Sequence, residues 1–202
     1  MTHAWYDNWL LWTVASGAAL TAILGASAAL WLRATAVSRD VTRTLRTISD
    51  RLIRDAVLPD GIGGFVPVDA LVLRDRRLYV LDIRDVEGAV FGSEKMDIWT
   101  AMGKRRHQFN NPIRPMHDRL AAVKYLVPEI EVGARILFTS RGHFPKGRPD
   151  GVMLLEEFAQ PLLRAKPKAP AELDAATQAT WDKICEAANV PPGKERPVLA
   201  RA

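Results

Sequence analysis

The chain predicts a mixed α/β domain behind one membrane-spanning helix. Three features of the sequence lead there. Trp9 to Leu32 contains no charged residue, and that run is long enough to cross the hydrocarbon layer as a helix. Val66 to Leu73 and Leu78 to Ile83 are apolar runs separated by Arg74-Asp75-Arg76-Arg77, a strand, turn, strand pattern. Segments with apolar residues at helical spacing stand before and after that hairpin, so the order is helix, antiparallel strands, helix, strand.

Residues 1–8 form a short tail ahead of the span. Trp5, Tyr6 and Trp9 at one end of the apolar run and Trp31 at the other match the aromatic belts of a membrane helix. A cleaved secretory signal ending near Ala34-Thr35-Ala36 is the competing reading. Asp7 without any Lys or Arg before Arg33, and the length of the run, argue for the anchor. Positive charge after the span, at Arg33, Arg39, Arg43 and Arg46, puts the N-terminus outside and the domain in the cytoplasm, in a single-pass topology. The single cysteine, Cys185, suits a reducing compartment and excludes both an intrachain disulfide and a Cys-rich zinc site. Gly17, Thr21, Gly25 and Ala29 recur every four residues, a stripe along which two such helices can pack in self-association.

The domain is expected over residues 36–164. Val37, Val41, Leu45, Ile48 and Leu52 fall on one side of a helix predicted from Ala36 to Val57. Its arginines face solvent or anionic lipid headgroups. Leu58 to Gly64, with a proline and three glycines, leads into the hairpin. If Asp75-Arg76 is a two-residue loop, Arg74 pairs with Arg77, and counting back along the strands sets Asp69 opposite Asp82. Arg84 then shares the Asp82 face, because side chains alternate with period two. Like charges facing each other across a sheet call for a cation between them, either Arg84 or a bound metal. Carboxylates without Cys or His suit Mg²⁺ or Mn²⁺. A three-residue loop instead separates the two aspartates onto opposite faces, and an ordinary Asp82–Arg84 ion pair fits the same residues.

Short strands are predicted at Gly88 to Gly92 and Asp97 to Met102. The basic run Lys104, Arg105, Arg106 and His107 follows, either a solvated turn or a contact for a phosphate backbone. The net charge of +5 permits polyanion binding. A helix is expected from Asn111-Pro112 through Leu126, with His117 inside it as a structural or surface residue. A strand is expected at Arg135 to Thr139, then a basic Gly- and Pro-rich loop, then a strand at Gly151 to Leu155. Residues 165–190 read as a linker followed by a helix from Ala171 to Ala188 that places Cys185 toward a core or a partner, and 191–202 as a disordered tail. The sequence has no internal repeat, phosphate-binding Gly-rich loop or nucleophile elbow.

Asp69 in VDALVL, then LYVLDIRDVEG, Trp99, and HQFNNPIRPMHDRLAAVKYL resemble the nuclease-related domain, a branch of the PD-(D/E)xK nuclease superfamily. The resemblance covers Asp50 to Phe158. It implies a restriction-endonuclease-like core in which Asp69 and Asp82 hold a divalent metal and the residue at Arg84, a Lys in the family, orients the attacking water. It further implies phosphodiester hydrolysis of nucleic acid, DNA ahead of RNA. Pro115 stands where the family has a Gln after its Asn-Pro. Asp50 and Asp55 are the nearest matches to an acidic residue of the first helix. Arg84 cannot act as a general base and presents a planar fork rather than an ammonium. That departure favours binding over turnover, on a scaffold for nucleic acid or a protein at the membrane.

Overall fold

A computed structural model describes residues 36–165 and 173–188. The predicted span Trp9 to Leu32, its small-residue stripe, most of the linker and the C-terminal tail lie outside these residues. Among the described residues no helix is long and apolar enough to cross a membrane. The chain divides into two compact units, Met1–Thr42 and Arg43–Ala202. In the first, the described residues are helical from 36 onward. The helix ends at 48 in the second unit and is called α1; its Leu45 and Ile48 are fully buried.

The second unit contains two sheets. Five strands form the larger: β1 (Arg51–Pro59), β2 (Phe65–Arg74), β3 (Arg77–Arg84), β7 (Glu131–Phe138) and β9 (Val152–Leu154), in the order β1-β2-β3-β7-β9. The first three are antiparallel neighbours, and β3-β7 and β7-β9 run parallel. The smaller sheet has the order β6-β5-β4-β8, from β4 (Gly88–Phe91), β5 (Ile98–Met102), β6 (Arg106–Asn110) and β8 (Gly142–His143). Helices α2 (Ile113–Leu126), α3 (Leu155–Arg164) and α4 (Ala175–Ala187) complete the unit. This is the mixed α+β class that the patterning predicts.

The helix expected over Ala36 to Val57 is corrected: it stops at 48, and β1 begins at Arg51. Two interactions draw the chain out of the helix. Asp50 Oδ2 accepts the Asp75 N–H at 2.9 Å, and Arg51 onward pairs with β2 from Leu73. Pairing with a formed hairpin outweighs the weak preference of a short segment for helix. The hairpin itself has the register of the two-residue loop, with Arg74 opposite Arg77 and Leu73 opposite Leu78. Asp75 and Arg76 both take positive φ, 49° and 64°, the backbone of a type I′ turn.

On β3, Leu78, Val80 and Asp82 alternate along one buried face, and Arg119 of α2 reaches Asp82 on that side. Tyr79 lies on the other face and meets Phe158 of α3 edge-on, with ring centroids 5.3 Å apart. Helices therefore cover both faces of β3. The strands expected after the hairpin occur as β4, β5, β7 and β9, and the helices as α2 and α4. β6, β8 and α3 are additions; the basic run that reads as a turn continues at Arg106 into β6.

Candidate functional site

The site forms where the β2-β3 hairpin opens. Backbone pairing between the two strands extends from the turn to Ala70 and Leu81. One residue further, the Asp69 carboxylate replaces a strand: its Oδ2 accepts the Ile83 N–H at 2.8 Å. The same register carries Asp69 opposite Asp82, and the β1-β2 register carries Asp55 opposite Asp69. Across β7, Ile136 completes the row.

Asp82 has no solvent exposure. A bare carboxylate there would be very costly, so it must be paired. Arg84 supplies a bidentate pair, Nε to Oδ1 at 2.5 Å and Nη2 to Oδ2 at 2.8 Å. Arg119, from α2, donates Nη1 to Oδ2 at 2.7 Å and Nε to the Pro67 carbonyl at 2.6 Å. Their side chains are 33% and 12% exposed, so Arg84 lines the mouth and Arg119 lies deeper. Burial raises the Asp69 carboxyl above its ordinary value of 3.8; the Asp82 charge adds to the rise, while the Ile83 N–H and the charges of Arg119 and Arg84 oppose it. Burial works against the Arg84 charge, yet its bonds to Asp82 and the nearby aspartate charges hold the guanidinium above its usual range.

The structure therefore brings Asp69, Asp82 and Arg84 together. Arg119 has no counterpart in the sequence reading. Its signal was faint: Met116, Leu120 and Val123 mark the apolar face of α2, and at 3.6 residues per turn an arginine at 119 borders that arc rather than falling within it. Asp50 and Asp55 do not join the site as helix residues. Asp50 holds the turn at the far end of the hairpin, and Asp55 is a β1 residue with φ of 53°.

A second charged cluster begins one residue past Arg84. Asp85 accepts from Thr139 Oγ1 and from Arg141 Nη1, both at 2.7 Å, and Arg141 also pairs with Glu87. A cleft of about 310 Å³ is lined by Asp85, Val86, Glu87, Gly103, Lys104, Arg105 and His107. Its close packing requires glycine: a Cβ on Gly88, where φ is +103°, would stand 2.4 Å from the Met102 carbonyl. That approach holds the basic turn against the exit of β3. Lys104, Arg105 and Arg106 are all exposed.

Asn111, buried, is a clasp. Its Nδ2 donates to the carbonyls of Ser93, Glu94 and Met96, and its Oδ1 accepts the Ile113 N–H at 2.9 Å. Pro112 caps α2, and Pro115 sits in the first turn, where no backbone donor is lost.

Asp69 and Asp82 are the carboxylates that hydrogen bonds place in the site, and Asp82 already has guanidinium on both oxygens. Among the described residues no group of three His, Cys, Asp or Glu side chains is placed to hold a metal. A hard divalent cation seeks six or more oxygen ligands, so this arrangement does not fit one.

The architecture and the row of acids neutralised by arginine define a mixed α+β domain with a buried carboxylate–guanidinium site. The chain belongs to the nuclease-related domain family, whose model matches residues 34–139. It is similar to an uncharacterized protein of Bacillus anthracis, 25% identical over 68 residues, covering 33% of this chain and 32% of the relative. The chain thus matches about a third of that relative's length. No solved structure matches.

Proposed function

We propose that this is a nuclease-like domain that grips the phosphodiester backbone of nucleic acid, DNA ahead of RNA, without cutting it. In the same reading the N-terminal segment tethers it to a membrane, N-terminus out and domain cytoplasmic, with Gly17, Thr21, Gly25 and Ala29 as a surface for self-association. One observation carries the choice of binding over hydrolysis: both oxygens of buried Asp82 are ion-paired, to Arg84 and to Arg119. Metal-dependent hydrolysis through Asp69 and Asp82, with Mg²⁺ or Mn²⁺, is what the family resemblance implies. A carboxylate with both oxygens taken by guanidinium offers a metal little, and Arg84 cannot take a proton from water.

Support for polyanion binding comes from the basic turn. Arg106, Met102, Ala89 and His143 are successive partners across the smaller sheet, which sets Arg106 and His143 on one face at its two edges. Lys104 and Arg105, in the turn between β5 and β6, line the cleft beside the β3 exit.

The test uses the full chain in nanodiscs with fluorescent duplex DNA, single-stranded DNA and RNA, in Mg²⁺, Mn²⁺ or EDTA. The expected result is binding that survives EDTA, weakens with salt and is lost when Lys104, Arg105 and Arg106 are changed to Gln, with no cleavage. Cleavage abolished both by EDTA and by Asp82→Ala would establish hydrolysis instead. An absence of salt-dependent affinity for any of the three would leave a protein adaptor.

A further inference from the structure

The smaller sheet buries one side and bares the other. On β5, Trp99 and Ala101 are buried, while Ile98 and Met102 are 44% and 51% exposed. The register carries this outer side across the sheet: Thr100 pairs with Gln108 of β6 and with Phe91 of β4, and Met102 pairs with Arg106 and with Ala89. Trp99 backs the sheet from within, so closely that a Cβ on Gly92 would run into its ring. Two cations bracket the apolar centre. Arg106 is exposed on the edge strand β6, and beyond the opposite edge strand, β8, the exposed Lys146 stands 5.9 Å over the Phe91 ring. None of the outward positions of β4, β5 and β6 carries a carboxylate, and Asp97, next to Ile98, is paired with Arg114.

We propose that this outer face is a platform for single-stranded DNA, with a base stacked on Phe91, neighbouring bases or sugars over Ile98 and Met102, and phosphates held by Arg106 and Lys146. The proposal rests on the nucleic-acid reading given above and narrows it to an unpaired strand. A duplex turns phosphates and groove edges outward and keeps its base faces stacked inside, so it would leave the three apolar side chains without partners. An unpaired strand offers both an anionic backbone and open base faces. A surface that sets apolar and aromatic side chains between cations complements both, and a four-stranded sheet face takes about two or three bases. The exposed cation–π contact of Lys146 is weak enough for a base to displace, and the freed ammonium stays within reach of that nucleotide's phosphate. Thr100 and Gln108 share the Phe91 row and put hydrogen-bonding groups at the rim of the stacked base.

The probe is fluorescent oligo-dT of about 12 nucleotides, compared by anisotropy with a duplex of the same length, on the full chain in nanodiscs of neutral lipid. Oligo-dT is expected to bind the tighter at equal salt. Phe91→Leu, apolar but without the ring, is expected to lose at least about fivefold of the oligo-dT affinity, and Phe91→Tyr to keep it; circular dichroism identifies which variants are folded. Should Phe91→Leu not fold, crosslinking of the wild type to bromodeoxyuridine in the same oligonucleotide decides, with the adduct expected on Phe91 or Met102. Duplex bound as tightly as oligo-dT, a folded Phe91→Leu protein with wild-type affinity, or adducts confined to residues outside this face would overturn the proposal. In each of those cases salt-dependent nucleic-acid binding stands. Failure of that broader reading shows instead as no salt-dependent affinity for either probe, which overturns both and leaves the face to a protein or a lipid surface.

Discussion

Arg119 Nη1 lies 2.7 Å from Asp82 Oδ2, across 37 residues of sequence and between a helix and a strand. Both groups are withdrawn from water, so the pair contributes more to holding α2 in place than an exposed pair could. Arg119→Ala leaves Asp82 with half of its partners. The expected loss is on the order of 3 kcal/mol of unfolding free energy, read by urea unfolding. Adding Asp82→Asn should restore part of it, because the uncompensated charge is then gone. A fully additive double variant would mean that the two groups do not act on each other.

Asp69 has its pKa raised, first by burial and then by the charge of Asp82. The folded protein therefore binds a proton more tightly at this group than the unfolded chain does. By linkage the ionised group weakens the fold as pH rises from the unfolded value, near 3.8, through the raised folded value, and the full penalty is present at neutral pH. Asp69→Asn retains an oxygen to accept the Ile83 N–H and removes the charge. The variant should match or exceed the wild-type melting temperature at pH 7. Its advantage should shrink as pH falls through that window, in melts taken at several pH values. An advantage that grows toward acid would contradict the assignment.

The basic turn makes a quantitative demand on DNA binding. If Lys104, Arg105 and Arg106 each neutralise one phosphate, changing all three to Gln should reduce the slope of log affinity against log salt by about 2 to 3, at about 0.9 per contact. Titrations at several salt concentrations measure it. An unchanged slope would move the contact elsewhere on the domain.

The hairpin that sets the site is strained at its tip. Arg76 holds φ of 64°, a conformation that costs a side-chain-bearing residue about 1 kcal/mol or more. Arg76→Gly should therefore stabilise the fold by about that amount, since the ion pair with Asp174 that it gives up, at 3.0 Å, is on the exposed surface and contributes little. Thermal unfolding decides it, with a lower midpoint as the contrary result.

How far the sequence discloses this arrangement depends on the range of the interaction that shapes each part. The hairpin register follows from counting along two apolar runs, because the turn and the alternating side chains are local. β1 is hidden for a specific reason. Its buried residues Ile53, Ala56 and Leu58 are spaced by three and then two, with the change at Asp55, where the backbone turns left-handed. That spacing has no period of two, and it extends the helical pattern that precedes it. Arg119 is hidden because its role depends on where α2 lands on the sheet, a tertiary fact. Asp69, Asp82 and Arg84 are found as a cluster because one strand pair brings them together. What neutralises them requires the helix as well.

Asn111 shows what this means for anyone recombining such domains. One amide nitrogen ties the backbone at 93, 94 and 96 to the first turn of the helix that carries Arg119. The smaller sheet and the charged row are thereby geared together, although they share no strand. A chimera that exchanges the basic turn with another such domain should take residues 93–113 as a single cassette. A crossover inside that stretch would leave the incoming loop without its latch and let the helix settle at a new angle, even with every charged residue in place.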